Sequence, residues 1–371
     1  MNTGRHASAS KSGNQKATRN SPRAILALDL EGAFDNVTHA SILTNLNETR
    51  CGRRTFGYVK DFLSSPKARI SRGEERSELI ESRERGTPQG ALLSPLLFNL
   101  ALLPLPRLLD QIEGIGHAFY ADDVTIWTER AGSDGWMEET LQAAALTMHE
   151  YAKTCGLSCA PQKSELLVIQ PGKPRKQRPR DICIQVDGTT VKPTDTCRIL
   201  GLLIQDNGKA HAVIAKMKTS AEKILSMLRR VSTRNRGLKE DEALRLLQAF
   251  ITSKITYSAP YLHLDKTQKN TIDTIIRKAI EQALGLPIYS STQCLQAMGA
   301  HNTVDELIKA HLSNQRLRLS QTNHGHAVLD KIGWRKERAT IKRYIPTEWM
   351  TSITTKPLPR NMTPEKNDGR R

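Results

Sequence analysis

The first half of the chain alternates between short strand-like apolar runs and longer stretches with helical spacing. "AILALDL" (24–30) is a short apolar run that ends in charged positions, as a buried strand does, and "HASILTNL" (39–46) has helical spacing. Alternating segments on both sides of "GEE" predict a hairpin over 67–82. "HAFYADDVTIW" (117–127) predicts two short strands around a tip. Two later apolar runs predict further strands, at 164–170 and 198–205.

Two longer segments of the same half predict helices of different kinds. Residues 91–112 are apolar nearly all round, which is typical of a buried helix, and Pro104 and Pro106 should kink or interrupt it. In residues 134–154 the apolar positions recur at the spacing of an amphipathic helix, with Gly156 as a suitable C-terminal cap.

The pattern of the second half of the chain is helical throughout. One stripe is formed by Ile214, Met217, Ala221, Leu225 and Leu228, and three more helices are predicted at 239–257, 266–284 and 302–320. The chain is therefore predicted to be α+β, with a mixed region over 23–206 followed by helical regions over 207–286 and 287–350.

Both ends of the chain are polar and aperiodic. Residues 1–22 are basic and rich in Gly, Ser and Asn, and residues 351–371 are similar in character. Because such segments bury too little apolar surface to offset the entropy of ordering, they predict a disordered basic arm and a disordered tail. The basic, proline-rich segment 171–180 is interpreted either as a solvated loop or as a contact to nucleic-acid backbone.

Composition narrows the class of partner and the compartment. The 55 Lys and Arg residues against 38 Asp and Glu give a formal net charge of +17, which indicates a polyanionic partner such as RNA or DNA. The 6 cysteines form no C-x-x-C pair, which favours free thiols of a reducing compartment over a disulfide framework or a zinc module. No apolar run reaches the roughly 18 residues of a membrane span, and the N-terminus lacks a signal-peptide core. We expect a soluble protein of the nucleus or cytoplasm, with no membrane partner and an unknown oligomeric state.

The adjacent aspartates at the tip of the predicted hairpin require an explanation. Two unit charges 4 Å apart repel by about 1 kcal/mol in water and by about 4 kcal/mol at an effective dielectric of 20. The pair Asp122–Asp123 is interpreted either as an exposed turn or as a cation site. Asp29 ends another apolar run, and strand-end carboxylates can converge. Asp29, Asp122 and Asp123 together are therefore candidate ligands of a two-metal site for phosphoryl transfer.

The acidic and amide residues that follow Asp29 are less decisive. Asp35 and Asn36 lie just before the helix predicted at 39–46, and they are interpreted as its N-cap rather than as metal ligands. Glu31 should point to the same face of the strand as Asp29, and no role is assigned to it.

Five ordered segments resemble the motifs of reverse transcriptases. "LDLEGAFD" (28–35), "RGTPQGALLSPLLFNL" (85–100) and "FYADD" (119–123) are similar to motifs A, B and C. "GLSCAPQKSELLVI" (156–169) and "ILGLLI" (199–204) resemble motifs D and E. The ending of the first motif, the Y-A-D-D of the third and the lysine segment of the fourth look most like the non-LTR (LINE-type) retrotransposon branch, of the kind found in arthropods.

This resemblance implies a fold, a reaction and a metal site. The fold would be a polymerase palm, a βαββαβ arrangement with an antiparallel sheet over 23–206, followed by an all-helical thumb. The reaction would add dNTPs to the 3′-OH of a DNA primer on an RNA template, with two Mg²⁺ ions or alternatively Mn²⁺. Asp29 and Asp122 would be the main ligands of both ions, the backbone carbonyl of Leu30 would assist, and Asp123 would be a weaker ligand.

The resemblance also implies contacts to nucleotide and primer. Phe34 would lie under the sugar of the incoming nucleotide and exclude a 2′-hydroxyl; the alternative is a phenylalanine of the core. Gln89 and Gly90 would lie against the nucleotide and template. Lys163 would be a candidate to protonate the pyrophosphate leaving group. From the sequence pattern alone, it is interpreted as a surface lysine. The hairpin residues of motif E that would grip the primer are Leu200 and Gly201.

One departure from the family leaves two hypotheses open. A fingers subdomain precedes motif A in relatives, whereas residues 1–22 are of low complexity, so we expect an N-terminally truncated member. The first hypothesis is a working RNA-directed DNA polymerase. The second is a catalytically inactive remnant that binds RNA or DNA through its positive charge.

Overall fold

The computed structural model describes nine stretches of the chain, and these divide into two compact units. The described residues are 23–64, 67–69, 71–78, 80–81, 84–170, 182–231, 237–287, 290–297 and 301–333. The units are Met1–Gly208 and Lys209–Arg371. The predicted arm 1–22, the basic segment 171–180 and the tail 351–371 lie outside the described residues.

The first unit combines strands and helices. Its elements in chain order are β1 (Arg23–Leu28), β2 (Leu30–Glu31), α1 (Ala33–Asn36), α2 (His39–Glu48), α3 (Arg53–Ser64), β3 (Lys67–Ala68), β4 (Ser71–Arg72), β5 (Glu75–Arg76), β6 (Ile80–Glu81), α4 (Ser94–Ala101), α5 (Leu105–Leu109), β7 (Ile115–Tyr120), β8 (Asp123–Thr128), α6 (Asp134–Thr154), β9 (Ser158–Cys159), β10 (Glu165–Ile169), β11 (Ile184–Val186), β12 (Thr189–Val191), β13 (Pro193–Thr194), β14 (Thr196–Ile199) and β15 (Leu202–Gln205). The predicted α+β class is therefore correct for this unit. The predicted hairpin over 67–82 is present as the pairs β3–β6 and β4–β5, with residues 70, 79 and 82 outside the described part.

A five-stranded sheet forms the centre of the unit, in the order β13-β10-β1-β8-β7. All its pairs are antiparallel except β10 with β13. The helices α4 and α5 lie between β1 and β7 in the chain, and α6 lies between β8 and β10. The chain order of these elements is thus β–α–β–β–α–β. In the sheet, β1 lies in the middle, between β8 and β10.

The core packs on one face of β1 and β8, in which every second residue is buried, whereas β10 is buried on both faces. In β1 every second residue is buried, including Leu26 and Leu28, and β8 contributes Ile126 in the same way. Helix α6 packs against β1 and β8 and buries Leu141 and Met148 against this face. Each large apolar side chain buried in this way contributes about 1.5–3 kcal/mol relative to an exposed one. Helix α6 ends as predicted, with Gly156 at a φ of 76°.

The apolar segment 91–112 is not one buried helix. It forms α4 and α5, separated by a turn at Leu102–Pro104, in agreement with the expected effect of proline. Leu97 and Phe98 are fully buried, but Leu92 is 99% exposed and Leu96 is 55% exposed. The prediction of burial all round was therefore wrong, because only one side of α4 faces the core.

The start of α2 also differs from the prediction. Thr38 is its N-cap, with an extended backbone and a side-chain oxygen that accepts a hydrogen bond from the Ser41 amide at 3.4 Å. Asp35 and Asn36 instead belong to the short helix α1. The N-cap prediction for these two residues was wrong, because a separate helical turn ends before α2 begins.

The segment 198–205, which the apolar pattern predicts as one strand, is a hairpin, as the resemblance implied for Leu200 and Gly201. Strands β14 and β15 pair in antiparallel fashion, with Thr196 opposite Gln205 at one end and Ile199 opposite Leu202 at the other. Leu200 and Gly201 form the turn, both with left-handed φ, 46° and 83°. The apolar run hides this turn because leucine is unusual at such a position.

The second unit is helical in its described part. Its helices are α7 (His211–Val231), α8 (Glu240–Leu247), a π-helix (Gln248–Thr252), α9 (Ser253–Ser258), a 3₁₀-helix (Ala259–Tyr261), α10 (Lys266–Ala283), α11 (Thr292–Ala297), α12 (Val304–Leu319) and α13 (Asn323–Lys331). Of the predicted stripe on α7, Ile214, Ala221 and Leu228 are buried, and Met217 and Leu225 pack at the edge of the core. Within the described ranges, no helix is both long enough and apolar enough to cross a bilayer.

Candidate active site

The strand register brings the first and third motifs to the same end of the sheet. Strands β1 and β8 pair with Leu28 opposite Val124. Asp29, which follows Leu28, is therefore next to Asp123, which precedes Val124. Strands β7 and β8 pair with Tyr120 opposite Asp123, so Ala121 and Asp122 form a two-residue tip. Carboxylates from two distant segments, Asp29 and the pair Asp122 and Asp123, thus come together at one sheet end.

Ala121 makes the hairpin tip tight at a cost in backbone energy. Its φ is 53°, in the left-handed region, where a non-glycine residue costs roughly 1–2 kcal/mol. Such strain persists only where the surroundings determine the conformation, as they do here through the paired strands on both sides.

The carboxylates at this end influence one another. The pKa of Asp123 is raised by partial burial, and further by the negative charges of Asp122 and Asp29. A cation brought to this place would relieve that repulsion. Lys163 is one such cation already present, with its Nζ 3.5 Å from Oδ2 of Asp29.

The loop before β10 brings Lys163 to the carboxylates. The Ala160 amide donates a hydrogen bond to the Asp29 carbonyl at 2.8 Å, and the Lys163 amide donates to the Ala160 carbonyl at 3.1 Å. Strand β2 pairs with β9 with Leu30 opposite Cys159, which fixes the same loop from its other side. The lysine predicted from the fourth motif therefore reaches the predicted aspartates.

The donor set at this end fits a hard divalent cation. Carboxylate oxygens are the ligands that Mg²⁺ prefers, and Asp29, Asp122 and Asp123 supply them from two adjacent strands. In the part of the chain that the structure describes, no three His, Cys, Asp or Glu side chains are drawn together tightly enough to hold a metal ion. The ligand roles of these aspartates and of the Leu30 carbonyl stay predictions.

Phe34 and the loop of the second motif are joined to each other. The Thr87 amide donates a hydrogen bond to the Phe34 carbonyl at 2.7 Å. The Phe34 ring packs on the buried Phe98 ring of α4, with 4.8 Å between centroids. Gly90 has a φ of 88°, and a Cβ at this position would meet nothing within 4 Å. Glycine is thus required there by the backbone conformation rather than by crowding within the chain.

Gln89 has a partner that the sequence did not predict. Its side-chain amide nitrogen donates to Asp35, 3.1 Å from Oδ1 and 3.2 Å from Oδ2. His39 Nε2 lies 2.8 Å from the Gly86 carbonyl in the same loop. These contacts join residues about fifty positions apart, so no local pattern could have indicated them.

The hairpin β14–β15 is attached to β10. The Arg198 amide donates to a carboxylate oxygen of Glu165 at 2.8 Å. Burial, followed by a hydrogen bond to Glu165 and its charge, raises the pKa of the Cys197 thiol to about 12, so this cysteine is an inert core thiol. Leu200 and Gly201 lie at the tip of this hairpin, and their role in gripping a primer stays a prediction.

Comparison with known proteins gives a family. The family model described as "Reverse transcriptase (RNA-dependent DNA polymerase)" matches residues 2–204 of the 371 residues. A Pol polyprotein from the type-1 retrotransposable element R2 of Popillia japonica is 25% identical over 286 residues, which covers 74% of this chain and 38% of the relative. The RNA-directed DNA polymerase from the mobile element jockey of Drosophila funebris is 21% identical over 330 residues, 85% of this chain and 34% of the relative.

The chain therefore spans about a third of the length of these two curated relatives. A solved telomerase from Candida tropicalis is similar at 12% identity and a TM-score of 0.36, over 50% of this chain and 34% of that one, which is too slight to support an argument. The residues that match the family model make up more than half of the chain and include all five motif segments. The chain belongs to the reverse transcriptase (RNA-dependent DNA polymerase) family, in its non-LTR retrotransposon branch.

Proposed function

We propose that the chain is a working RNA-directed DNA polymerase that adds dNTPs to the 3′-OH of a DNA primer on an RNA template. One observation supports this most directly. The register of β1 and β8 brings Asp29 next to Asp122 and Asp123 at the end of the sheet. In this proposal the sheet and its helices are the palm, and the helices after residue 207 are the thumb and C-terminal region.

In the proposed site Asp29 and Asp122 hold two Mg²⁺ ions, or Mn²⁺ in their place, with the Leu30 carbonyl assisting and Asp123 as a weaker ligand. When bound, these ions lower the pKa of the attacking hydroxyl and stabilise charge on the leaving oxygen. Lys163 holds a proton at its Nζ close to Asp29, where it can pass to the pyrophosphate.

The nucleotide contacts of the proposal come from α1 and the loop that precedes α4. Phe34 excludes a 2′-hydroxyl from the sugar by its bulk, and the packing of its ring on Phe98 limits its freedom to move away. Gln89 and Gly90 lie against the nucleotide and template. Leu200 and Gly201 contact the primer strand from the tip of β14–β15.

Primer extension on poly(rA)/oligo(dT) with Mg²⁺ tests the proposal. We expect Asp122→Asn and Asp29→Asn to lower extension by at least about a thousandfold, because the bound metal supplies several kcal/mol of charge stabilisation. Asp61→Asn, which changes an exposed aspartate of α3, is the matched control and should extend as the wild type does.

A nucleic-acid-binding remnant is the alternative outcome of this experiment. It would show no extension by any variant, including the wild type, together with salt-sensitive binding of the primer–template. The formal charge of +17 supports binding under both functions, so only extension separates them.

A further inference from the structure

The contact between Gln89 and Asp35 restricts what Gln89 can present to a ligand. An ionised carboxylate only accepts hydrogen bonds, whereas an amide side chain has a donating nitrogen and an accepting oxygen. Because Nε2 of Gln89 donates to both oxygens of Asp35, its Oε1 must point away from the carboxylate. The end of Gln89 that faces away from Asp35 therefore carries the accepting Oε1.

The backbone holds Asp35 in a fixed place relative to the loop that carries Gln89. The Gly86 amide donates a hydrogen bond to the Val37 carbonyl at 2.7 Å. The Thr87 amide donates one to the Phe34 carbonyl, also at 2.7 Å. A Cβ on Gly86 would lie 2.8 Å from the Asp35 carbonyl oxygen, so the two backbone segments are in direct contact. Both side chains of the pair are exposed, and the backbone segments that carry them are joined by these contacts.

We propose that Asp35 is a positioning residue that orients the Gln89 amide, so that its Oε1 accepts a hydrogen bond from the incoming nucleotide. The donor is the 3′-hydroxyl of the sugar, because the one N–H of a thymine base pairs with the template adenine. A phosphate oxygen is excluded, because it has no proton to donate and the Asp35 carboxylate repels it. This inference rests on the proposed polymerase function and concerns the same site.

Steady-state kinetics with dTTP on poly(rA)/oligo(dT) tests the consequence for the substrate. Asp35→Ala leaves the amide free to turn, and the expected result is a rise in KM of about three- to tenfold with kcat within about twofold. Asp35→Asn keeps an acceptor, so its KM should lie between those of the wild type and Asp35→Ala. In a Gln89→Met background, Asp35→Ala should change KM no further. Asp61→Asn is the control and should have the KM of the wild type. An equal KM effect of Asp35→Ala with and without Gln89 would overturn the proposal.

The same experiment with ddTTP tests this donor. If Gln89 accepts from the 3′-hydroxyl, the effect of Asp35→Ala on KM disappears with ddTTP, because the hydroxyl is absent. An effect that persists with ddTTP would overturn the acceptor role of Gln89.

A spectroscopic measurement keeps the inference independent of activity. In protein labelled with ¹⁵N-glutamine, the side-chain amide signal of Gln89, assigned by its loss in Gln89→Met, should shift in Asp35→Ala and not in Asp61→Asn. Adding dTTP with primer–template should shift it in the wild type. An unchanged signal in Asp35→Ala, or no response to dTTP, would reject the inference. If both shifts are seen but the wild type does not extend primer, the polymerase function alone is rejected.

Discussion

Phe34 is the side chain on which sugar selection depends in the proposed site. We expect Phe34→Val to let the enzyme use rNTPs, raising the ratio of rNTP to dNTP incorporation by roughly ten- to a hundredfold, because a smaller side chain leaves room for a 2′-hydroxyl. Competition between rTTP and dTTP during primer extension measures this ratio. Phe56→Val, a comparable change at a half-buried phenylalanine of α3, is the control. Equal ratios for Phe34→Val and wild type would place Phe34 in the core only.

Lys163 can be tested separately from the aspartates because it is exposed. Its ion pair with Asp29 joins a 69% exposed side chain to one that is 25% exposed, and such pairs contribute about 0–1 kcal/mol to stability. We expect Lys163→Met to lower kcat by roughly a hundredfold through loss of the acid, with little change in unfolding free energy. Single-turnover extension and urea unfolding measure the two quantities. Lys60→Met on α3 is the control, and an unchanged kcat would return Lys163 to an ordinary surface role.

Residue types and their order predicted the three aspartates, whereas Lys163 was indicated only by the family resemblance. The pair Asp35–Gln89 was not predicted, because helix-capping rules consider only a few neighbouring positions. Its two members are 54 residues apart, and their contact depends on how the loop of the second motif meets α1.

Two hairpins of the first unit use the same backbone turn with different residues. In β11–β12 the turn is Asp187–Gly188, with φ of 47° and 72°, and in β14–β15 it is Leu200–Gly201. Asp–Gly is a usual pair for this turn, whereas leucine is strained there. Leu200 is also 45% exposed, which suits contact with a ligand rather than with the core.

We expect Leu200→Asn to stabilise the protein by about 1 kcal/mol, because asparagine tolerates the left-handed conformation. The same change should weaken binding of primer–template if Leu200 grips the primer. Thermal unfolding and fluorescence anisotropy measure the two effects. The reverse change, Asp187→Leu, should cost stability without affecting binding. A stabilised variant with unchanged primer binding would contradict the proposed grip.

Asp273 joins helices α10 and α12 and offers a test of stability against pH. Its Oδ1 accepts a hydrogen bond from the Val304 amide at 2.7 Å, at the start of α12. Burial raises the pKa of Asp273, although this hydrogen bond and the charge of His301 lower it. A raised pKa means that the folded state binds the proton more tightly than the unfolded one. Stability from this group is thus present at low pH and is lost as pH rises from the ordinary aspartate value through the raised one.

We therefore expect Asp273→Asn, which keeps an acceptor for Val304, to be at least as stable as the wild type at pH 7. The difference should vanish below the ordinary aspartate pKa. Asp273→Ala removes the acceptor and should cost about 1–3 kcal/mol. Urea unfolding across this pH range measures all three proteins. A wild type more stable than Asp273→Asn at neutral pH would contradict the assigned direction.

Element type was predictable from the chain wherever periodicity was clear, and less so where composition was uniform. The amphipathic pattern of α6 and the short apolar run of β1, which ends in a charge, predicted both elements. The run 91–112 has no polar face, so periodicity could not locate its exposed side, and only its prolines indicated the break. In the run 198–205 apolar residues continue through the turn, which only the motif resemblance indicated.

The sequence indicated the boundary between the two units but not the strand order of the first unit. The change from strand-like to helical spacing near residue 206 falls close to the division between Met1–Gly208 and Lys209–Arg371. The strand order β13-β10-β1-β8-β7 requires pairings between distant segments, such as Ala24 with Val168, which no local pattern specifies. The active-site geometry depends on this order, and only the motif resemblance indicated it beforehand.

The excess of positive charge over the chain predicts how primer–template binding responds to salt. If the +17 chain neutralises about six phosphates, affinity should fall by roughly a thousandfold between 50 and 200 mM salt, because bound counterions are released. A double-logarithmic plot of affinity from fluorescence anisotropy gives the slope. Asp122→Asn removes one negative charge near the primer end, so it should bind slightly more tightly with the same slope. A nearly flat salt dependence would contradict phosphate-dominated binding. A steep slope shared by wild type and Asp122→Asn, with extension by the wild type alone, would separate binding from catalysis in this chain.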